Sequence, residues 1–215
     1  MFLNLFIIIV MAANFIMSYI AFNDVAFFRK YEFHIGNILN GQQYRMVSSA
    51  FLHVDWAHLF FNMFTLYFFA PVVVSYLGAF SFLLLYLVSL LAGNIFTLIL
   101  HKSDFHYRAV GASGAVTGIL YAAILLQPEM RLGLFLIPIP IPGYMFGFGY
   151  LLYSIYGMKT KNDNIGHTAH FGGAIAGYAM TLIQKPSLFV DETFLVVILA
   201  IPIVLLFVLL KSGKI

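Results

Sequence analysis

The chain contains no cysteine, and only 9% of its 215 residues are charged. The first absence removes disulfides, thiolate nucleophiles and Cys-ligated metals. The second removes water as the solvent for most of the surface, since a soluble domain carries about 25% charged residues. Only 8 residues are acidic, and each falls in a predicted loop or at the end of an apolar run. No HExxH or GxGD sequence occurs, so the residues of zinc-dependent and aspartyl intramembrane proteolysis are missing. The formal charge of +3 is small and its basic residues are scattered, which gives nucleic acid nothing to hold.

What remains is apolar. Hydrophobic residues make up 62% of the chain and the mean hydropathy is +0.97. The composition predicts an all-α fold, a polytopic bundle of transmembrane helices in contact with the lipid bilayer. Apolar runs predict seven spans at about 2–22, 57–77, 79–100, 112–127, 141–157, 167–184 and 194–210. The first lacks the basic start of a signal peptide and is kept as a span. Gly78 leaves almost no loop between the second and third. "IPIPIPG" (137–143) predicts an extended approach to the fifth, because proline has no N–H for a helix interior. The stretch 23–56 is too polar to span and is expected at the interface. One membrane domain, 1–215, follows, with no soluble module.

Counting crossings brings the unusual polar residues together. The second, fourth and sixth spans enter from one membrane face. Near their starts stand His58 and Asn62 in "HVDWAHLFFNM", Ser113 in "VGASGAV", and His167 and His170 in "GHTAHFGG". Polar side chains inside a bilayer are costly and face the bundle interior or a wet cavity. A serine and a histidine at one depth form a nucleophile–base pair. With no acid in a span interior, a dyad is the expected form. Attack on a carbonyl creates an oxyanion that needs donors. Asn62 is four residues after His58 and shares its helix face, so an imidazole N–H, an amide NH₂ and the Ser113 backbone N–H are the expected donors.

Taken singly, these residues have plainer readings. "GASGA" places Gly111/Ala115 and Gly114/Gly118 at small-xxx-small spacing, and Gly173/Gly177 repeat it, which is helix packing. His58, Asn62 and Asn94 each read alone as interhelical hydrogen bonds, and His53 and His167 as structural or loop residues. Together at one depth, the set favours chemistry. A metal among the histidines is not expected, nor is a cofactor.

At these residues the chain resembles the rhomboid family of intramembrane serine proteases. "YRMVSSAFLHVDWAHLFFNM" resembles the family's first-loop-to-second-helix segment, "GASG" its GxSG serine motif and "AHFGGAIAG" its AHxxGxxxG histidine motif. The resemblance implies Ser113 as nucleophile and His170 as base. It implies His58, Asn62 and the backbone around Gly111 and Ser113 as oxyanion stabilisers, with Gly114, Gly173 and Gly177 packing the helices at the site. It implies a serine endopeptidase that cleaves transmembrane segments of other proteins. A six-helix core of about 1–185 with one extra C-terminal span is the implied layout. The alternative is a non-proteolytic rhomboid-like protein that binds membrane segments for chaperoning or quality control. Two positions depart from the family pattern. Tyr44-Arg45 stands where Trp-Arg is common, and Thr117 stands where an aromatic often stacks on the histidine. Tyr121 lies on that face one turn deeper.

Orientation divides the signals. Arg29, Lys30, Arg45, Lys102, Arg108, Lys159, Lys161, Lys211 and Lys214 all lie on the face where the even spans enter, and only Arg131 and Lys185 on the other. The positive-inside rule would make that face cytoplasmic. The resemblance implies the reverse, a site opening to the extracytoplasmic side of the cell (inner) membrane, and that is the expectation adopted.

Overall fold

A computed structural model describes residues 4–134, 137–160 and 165–215. Residues 2 and 3 of the expected first span, and Lys161 of the basic loops, lie outside them. The chain runs α1 (Leu5–Asn23), α2 (Val25–Tyr31), β1 (Phe33–His34), α3 (Ile35–Leu39), α4 (Arg45–Ser48) and a 3-10 turn (Ser49–Phe51). Then come α5 (Trp56–Leu77), α6 (Ala79–His101), β2 (Arg108–Ala109), α7 (Ser113–Leu126), β3 (Arg131–Leu134) and β4 (Ile137–Pro142). It closes with α8 (Gly143–Thr160), α9 (His167–Gln184), α10 (Leu188–Asp191) and α11 (Thr193–Lys211). Among the described residues, seven long helices fall on the seven apolar runs, and the protein is an integral membrane protein.

Local chemistry sets the boundaries. Asn4 starts α1 by accepting the Phe6 N–H at 3.0 Å, and Asp55 starts α5 by accepting that of His58 at 2.7 Å. Gly78 turns the chain directly from α5 into α6 at φ +85°, a conformation that side chains resist. The proline run is extended as expected, but it also pairs with β3 as an antiparallel hairpin, which its apolar composition did not announce.

Helices α1, α5, α6 and α11 are long and apolar enough to cross a membrane by themselves. Helix α7 has 14 residues, about 21 Å at 1.5 Å per residue, against about 30 Å of hydrocarbon. It is the central element, enclosed by α5, α6 and α9, and every residue from Gly114 to Leu126 is buried. Lipid tails are as apolar as leucine, so close packing rather than hydrophobic burial holds such helices together. A Cβ on Gly173 would overlap the Gly114 carbonyl oxygen, and one on Gly177 the Gly118 carbonyl oxygen. Backbone therefore meets backbone along α7 and α9. On the other side of α9, a Cβ on Gly93 of α6 would lie 2.7 Å from the Ala169 carbonyl oxygen.

The polar segment 23–56 is folded against this bundle. Buried Arg45 donates to Gln42 Oε1 at 2.8 Å and to the carbonyls of Arg29 and Glu32 at 2.9 and 2.8 Å. Buried Glu32 pairs with Arg29 at 3.3 Å and with Arg108. Strand β1 pairs with β2, Phe33 opposite Ala109 and His34 opposite Arg108. The two loops are thereby joined just before Gly111. Asn94 on α6 donates to the Met46 carbonyl at 2.7 Å and to Ser49 Oγ at 3.3 Å. Its partners belong to this segment rather than to another long helix.

Candidate active site

Three helix starts carry the polar residues singled out by the sequence. Ser113 is the first residue of α7, His58 lies in the first turn of α5 with Asn62 one turn deeper, and His170 lies in the first turn of α9. All four line one cavity of about 520 Å³, whose remaining wall includes Phe61, Phe69, Leu120 and Phe146. A few convergent polar groups on a mostly apolar wall are the usual make-up of a binding pocket.

Gly111 shows how tightly the mouth is built. Its φ is +133°, and its N–H donates to the Ser49 carbonyl at 3.0 Å. A Cβ there would sit 2.7 Å from His58 Cε1, 2.9 Å from His58 Nε2 and 3.6 Å from Ser113 Oγ. Gly111 thus keeps open the space shared by the imidazole and the hydroxyl. One Asn62 amide proton goes to the His58 carbonyl at 3.0 Å, and an NH₂ has two to give.

The other histidines are placed differently. His53 Nδ1 lies 2.8 Å from Ser18 Oγ, and the Ser18 hydroxyl donates to the Phe51 carbonyl at 3.1 Å. With that proton spent, Nδ1–H of His53 is the donor to Ser18. Burial, with the neighbouring His58 adding to it against an opposing Asp55, pushes the His53 pKa down to about 3, so the ring is neutral. Its ring meets that of His58 edge-on at 4.8 Å and buttresses it. His167 is buried against Gly157, where a Cβ would overlap its ring. It lines a neighbouring cavity with His101 and Tyr107, not the one that holds Ser113. Among the described residues, no group of three His, Asp or Glu side chains gathers to hold a metal.

One residue of the site was missed by sequence reasoning. Tyr150, from α8, lines the same cavity. Its hydroxyl is 2.8 Å from His170 Nδ1, and its ring stacks on the imidazole, centroids 5.7 Å apart and planes inclined at 27°. The aromatic absent at Thr117 is supplied by another helix. Tyr121 turns away, donating to the Gly147 carbonyl of α8. "GYMFGFGYLLYSIY" offers four tyrosines, and nothing in their spacing marks Tyr150 as the one facing α9.

Comparison with known proteins bears on the whole arrangement. A rhomboid-domain family model matches residues 40–187, a stretch that holds all of these cavity residues and ends before α11. The RHOMBOID-like protein 12, mitochondrial, of Arabidopsis thaliana is 31% identical over 180 residues, 76% of this chain and 53% of that protein. Rhomboid protein 1, mitochondrial, of Saccharomyces cerevisiae is 30% identical over 135 residues, 61% of this chain and 39% of its own. The putative rhomboid protease YdcA of Bacillus subtilis is 31% identical over 148 residues, 68% of this chain and 69% of its own. The chain thus spans about half, or less, of the two mitochondrial relatives it matches. A match over most of the chain, joined to three motifs in order on three neighbouring helices, places this protein in the rhomboid family.

Proposed function

We propose that the protein is an intramembrane serine endopeptidase that cleaves transmembrane segments of other membrane proteins, without a cofactor. The observation that supports this best is that Ser113, His170, His58 and Asn62, borne by three different helices, line one cavity. The YdcA relative bears the name of a putative rhomboid protease.

The chemistry balances with these residues alone. His170 takes the Ser113 hydroxyl proton as Oγ attacks the scissile carbonyl carbon. The resulting oxyanion accepts from His58, Asn62 and the Ser113 N–H, which has no intrahelical acceptor in the first turn of α7. His170 then protonates the departing amine, the C–N bond breaks and an ester on Ser113 remains. Water enters, gives a proton to the same histidine and adds to the ester carbon; His170 returns that proton to Ser113 Oγ as the ester C–O bond breaks, releasing a carboxylic acid product and the free dyad. A substrate helix must unwind locally first, because its amides are hydrogen-bonded within the helix in lipid.

A fluorophosphonate should label the detergent-solubilised protein at Ser113. Ser113→Ala and His170→Ala should lose both labelling and cleavage, whereas His167→Ala keeps most of its activity. Undiminished cleavage by Ser113→Ala overturns the reading. We further place the cavity mouth on the extracytoplasmic side of a cell (inner) membrane. The buried Arg45 and paired Arg29 and Arg108 are engaged in the fold, which weakens them as topology signals. With no native cysteine, an impermeant maleimide on intact cells, any outer membrane having been permeabilised, should label Ser103→Cys and spare Gln127→Cys. The reverse pattern would turn the protein over.

A further inference from the structure

A second cavity, of about 480 Å³, adjoins the first and shares Val54, His58, Val110, Ile165 and Gly166 with it. Its wall carries charge, which the first lacks. Arg29, Glu32 and Arg108 all line it, and their exposures are unequal. The Glu32 side chain is 3% exposed, whereas those of Arg29 and Arg108 are 57% and 43% exposed. Two guanidiniums therefore share one hidden carboxylate, and the three side chains present a net positive charge to the cavity.

Most donors of the two arginines are unused. Among the described residues, Arg29 reaches Glu32 through Nη1 alone, at 3.4 and 3.3 Å, and Arg108 reaches it through Nη1 alone. A guanidinium has five N–H groups, so Nε and Nη2 of both side chains remain for another acceptor. The arrangement is also fixed in advance. Arg108 belongs to β2, opposite His34 of β1, and the Glu32 carbonyl accepts from buried Arg45 at 2.8 Å. Groups held beforehand lose less freedom on binding. A plain staple between these two loops needs one arginine for its one carboxylate, and the second leaves a charge over.

We propose that Arg29 and Arg108 form an anion-binding vestibule for a carboxylate side chain of the substrate polypeptide, on the stretch that leaves the bilayer beside the scissile bond. This rests on the reading that the Ser113 cavity receives a membrane-spanning polypeptide. A chain lying past His58 passes from one cavity to the other, because that residue walls both. The same shared wall favours a polypeptide over a lipid headgroup. Arg108 stands five positions before Ser113, at most about 18 Å away at about 3.6 Å per residue. The acidic residue thus falls within about five residues of the bond attacked. A forked guanidinium meets a planar carboxylate through two N–H bonds, a match that asparagine does not offer. The substrate class becomes membrane segments that carry Asp or Glu just outside the hydrocarbon, on the side of the cavity mouth.

The test uses single-span peptides of one sequence with a helix-loosened centre. Each carries Asp, Asn or Lys at successive positions just outside the apolar run. Affinity is read by fluorescence anisotropy with full-length, detergent-solubilised Ser113→Ala protein, so that no turnover intrudes. At the best position Asp should bind roughly 5- to 10-fold tighter than Asn, and Lys more weakly than Asn. Raising salt from about 50 to about 500 mM should remove most of the difference. Adding Arg29→Gln and Arg108→Gln together should bring the Asp and Asn peptides to equal affinity. Arg108→Lys, which keeps the charge but not the fork, should bring them only part of the way. Glu32 loses both partners in the double variant. If that protein does not fold, judged by Tm, Arg29→Gln decides, and an undiminished Asp preference in it overturns the proposal. Equal affinity of the Ser113→Ala protein for all three peptides overturns it too, as does binding of none. A preference abolished by phosphatidylglycerol but not by phosphatidylcholine would give the arginines to a lipid headgroup and overturn it likewise. Cleavage is scored separately with Ser113 restored. A protein that prefers the Asp peptide yet cuts none of them keeps this inference and loses the proteolytic one.

Discussion

Helices α7 and α11 are both apolar, yet they solve opposite problems. Helix α11, with 19 residues, is long enough to cross lipid by itself. It buries only Leu195, Val196, Leu199, Pro202 and Leu206, mostly against α8. Helix α7 is too short to cross hydrocarbon and exposes almost nothing, being wrapped in protein. Hydropathy alone picks out α11 more readily than the helix that carries Ser113. The difference teaches that the greasiest helix is the one with most of its surface open, whereas the candidate site lies at the start of the helix that protein encloses. The start of this short helix opens into the cavity where the polar side chains gather.

The comparison can be broken at the α7–α9 seam. Gly173→Leu would drive a side chain into the Gly114 backbone, which cannot give way as a flexible side chain can. A loss of more than about 3 kcal/mol is expected, seen as a sharply lowered Tm in detergent and abolished fluorophosphonate labelling. A protein that melts and labels like the wild type would show that backbone contact does not set the spacing of these helices.

A smaller effect is expected within the cavity. His58→Ala and Asn62→Ala should each lower kcat by up to roughly 100-fold with little change in KM, because donors to the oxyanion act mainly in the transition state. A change confined to KM would instead make the pair part of substrate binding. The smallest effect belongs to α11. Leu199 is buried there against α8, beside Gly147. Since lipid replaces water as the alternative environment, Leu199→Ala should cost about 1–3 kcal/mol from its cavity, read as a modest fall in Tm. The labelling rate should hold. A loss of labelling as deep as that of Gly173→Leu would erase the distinction between the two helices.

Much of this was legible from residue order. Apolar runs located all seven long helices, and the tight turn at Gly78 followed from one residue. The placing of His58, Ser113 and His170 at one depth followed from counting crossings, because helices that enter from one face start at one level. What was not legible depended on rotation and on contacts distant in sequence. Tyr150 reaches His170 only because α8 is turned that way, and Tyr144, Tyr153 and Tyr156 carry the same chemical label. The pairing of β1 with β2 joins residues more than seventy positions apart through two-residue strands, too short for any periodicity to declare. Asn94 was read as an interhelical bond, and its partner Met46 does lie on a helix, but on the short α4, which no apolar run marks.

The shared direction of α5, α7 and α9 has an electrical consequence. Each begins at the cavity, and the start of a helix carries roughly half an elementary positive charge from its aligned peptide dipoles. Three such ends converge on the cavity that His58, Ser113 and His170 line, in surroundings too apolar to screen them well. The cavity therefore holds a positive potential with no lysine or arginine among the described residues that line it, and without the desolvation that such a cation would demand. Negative charge arriving or forming there meets a field already in place, set by the direction in which the chain was threaded.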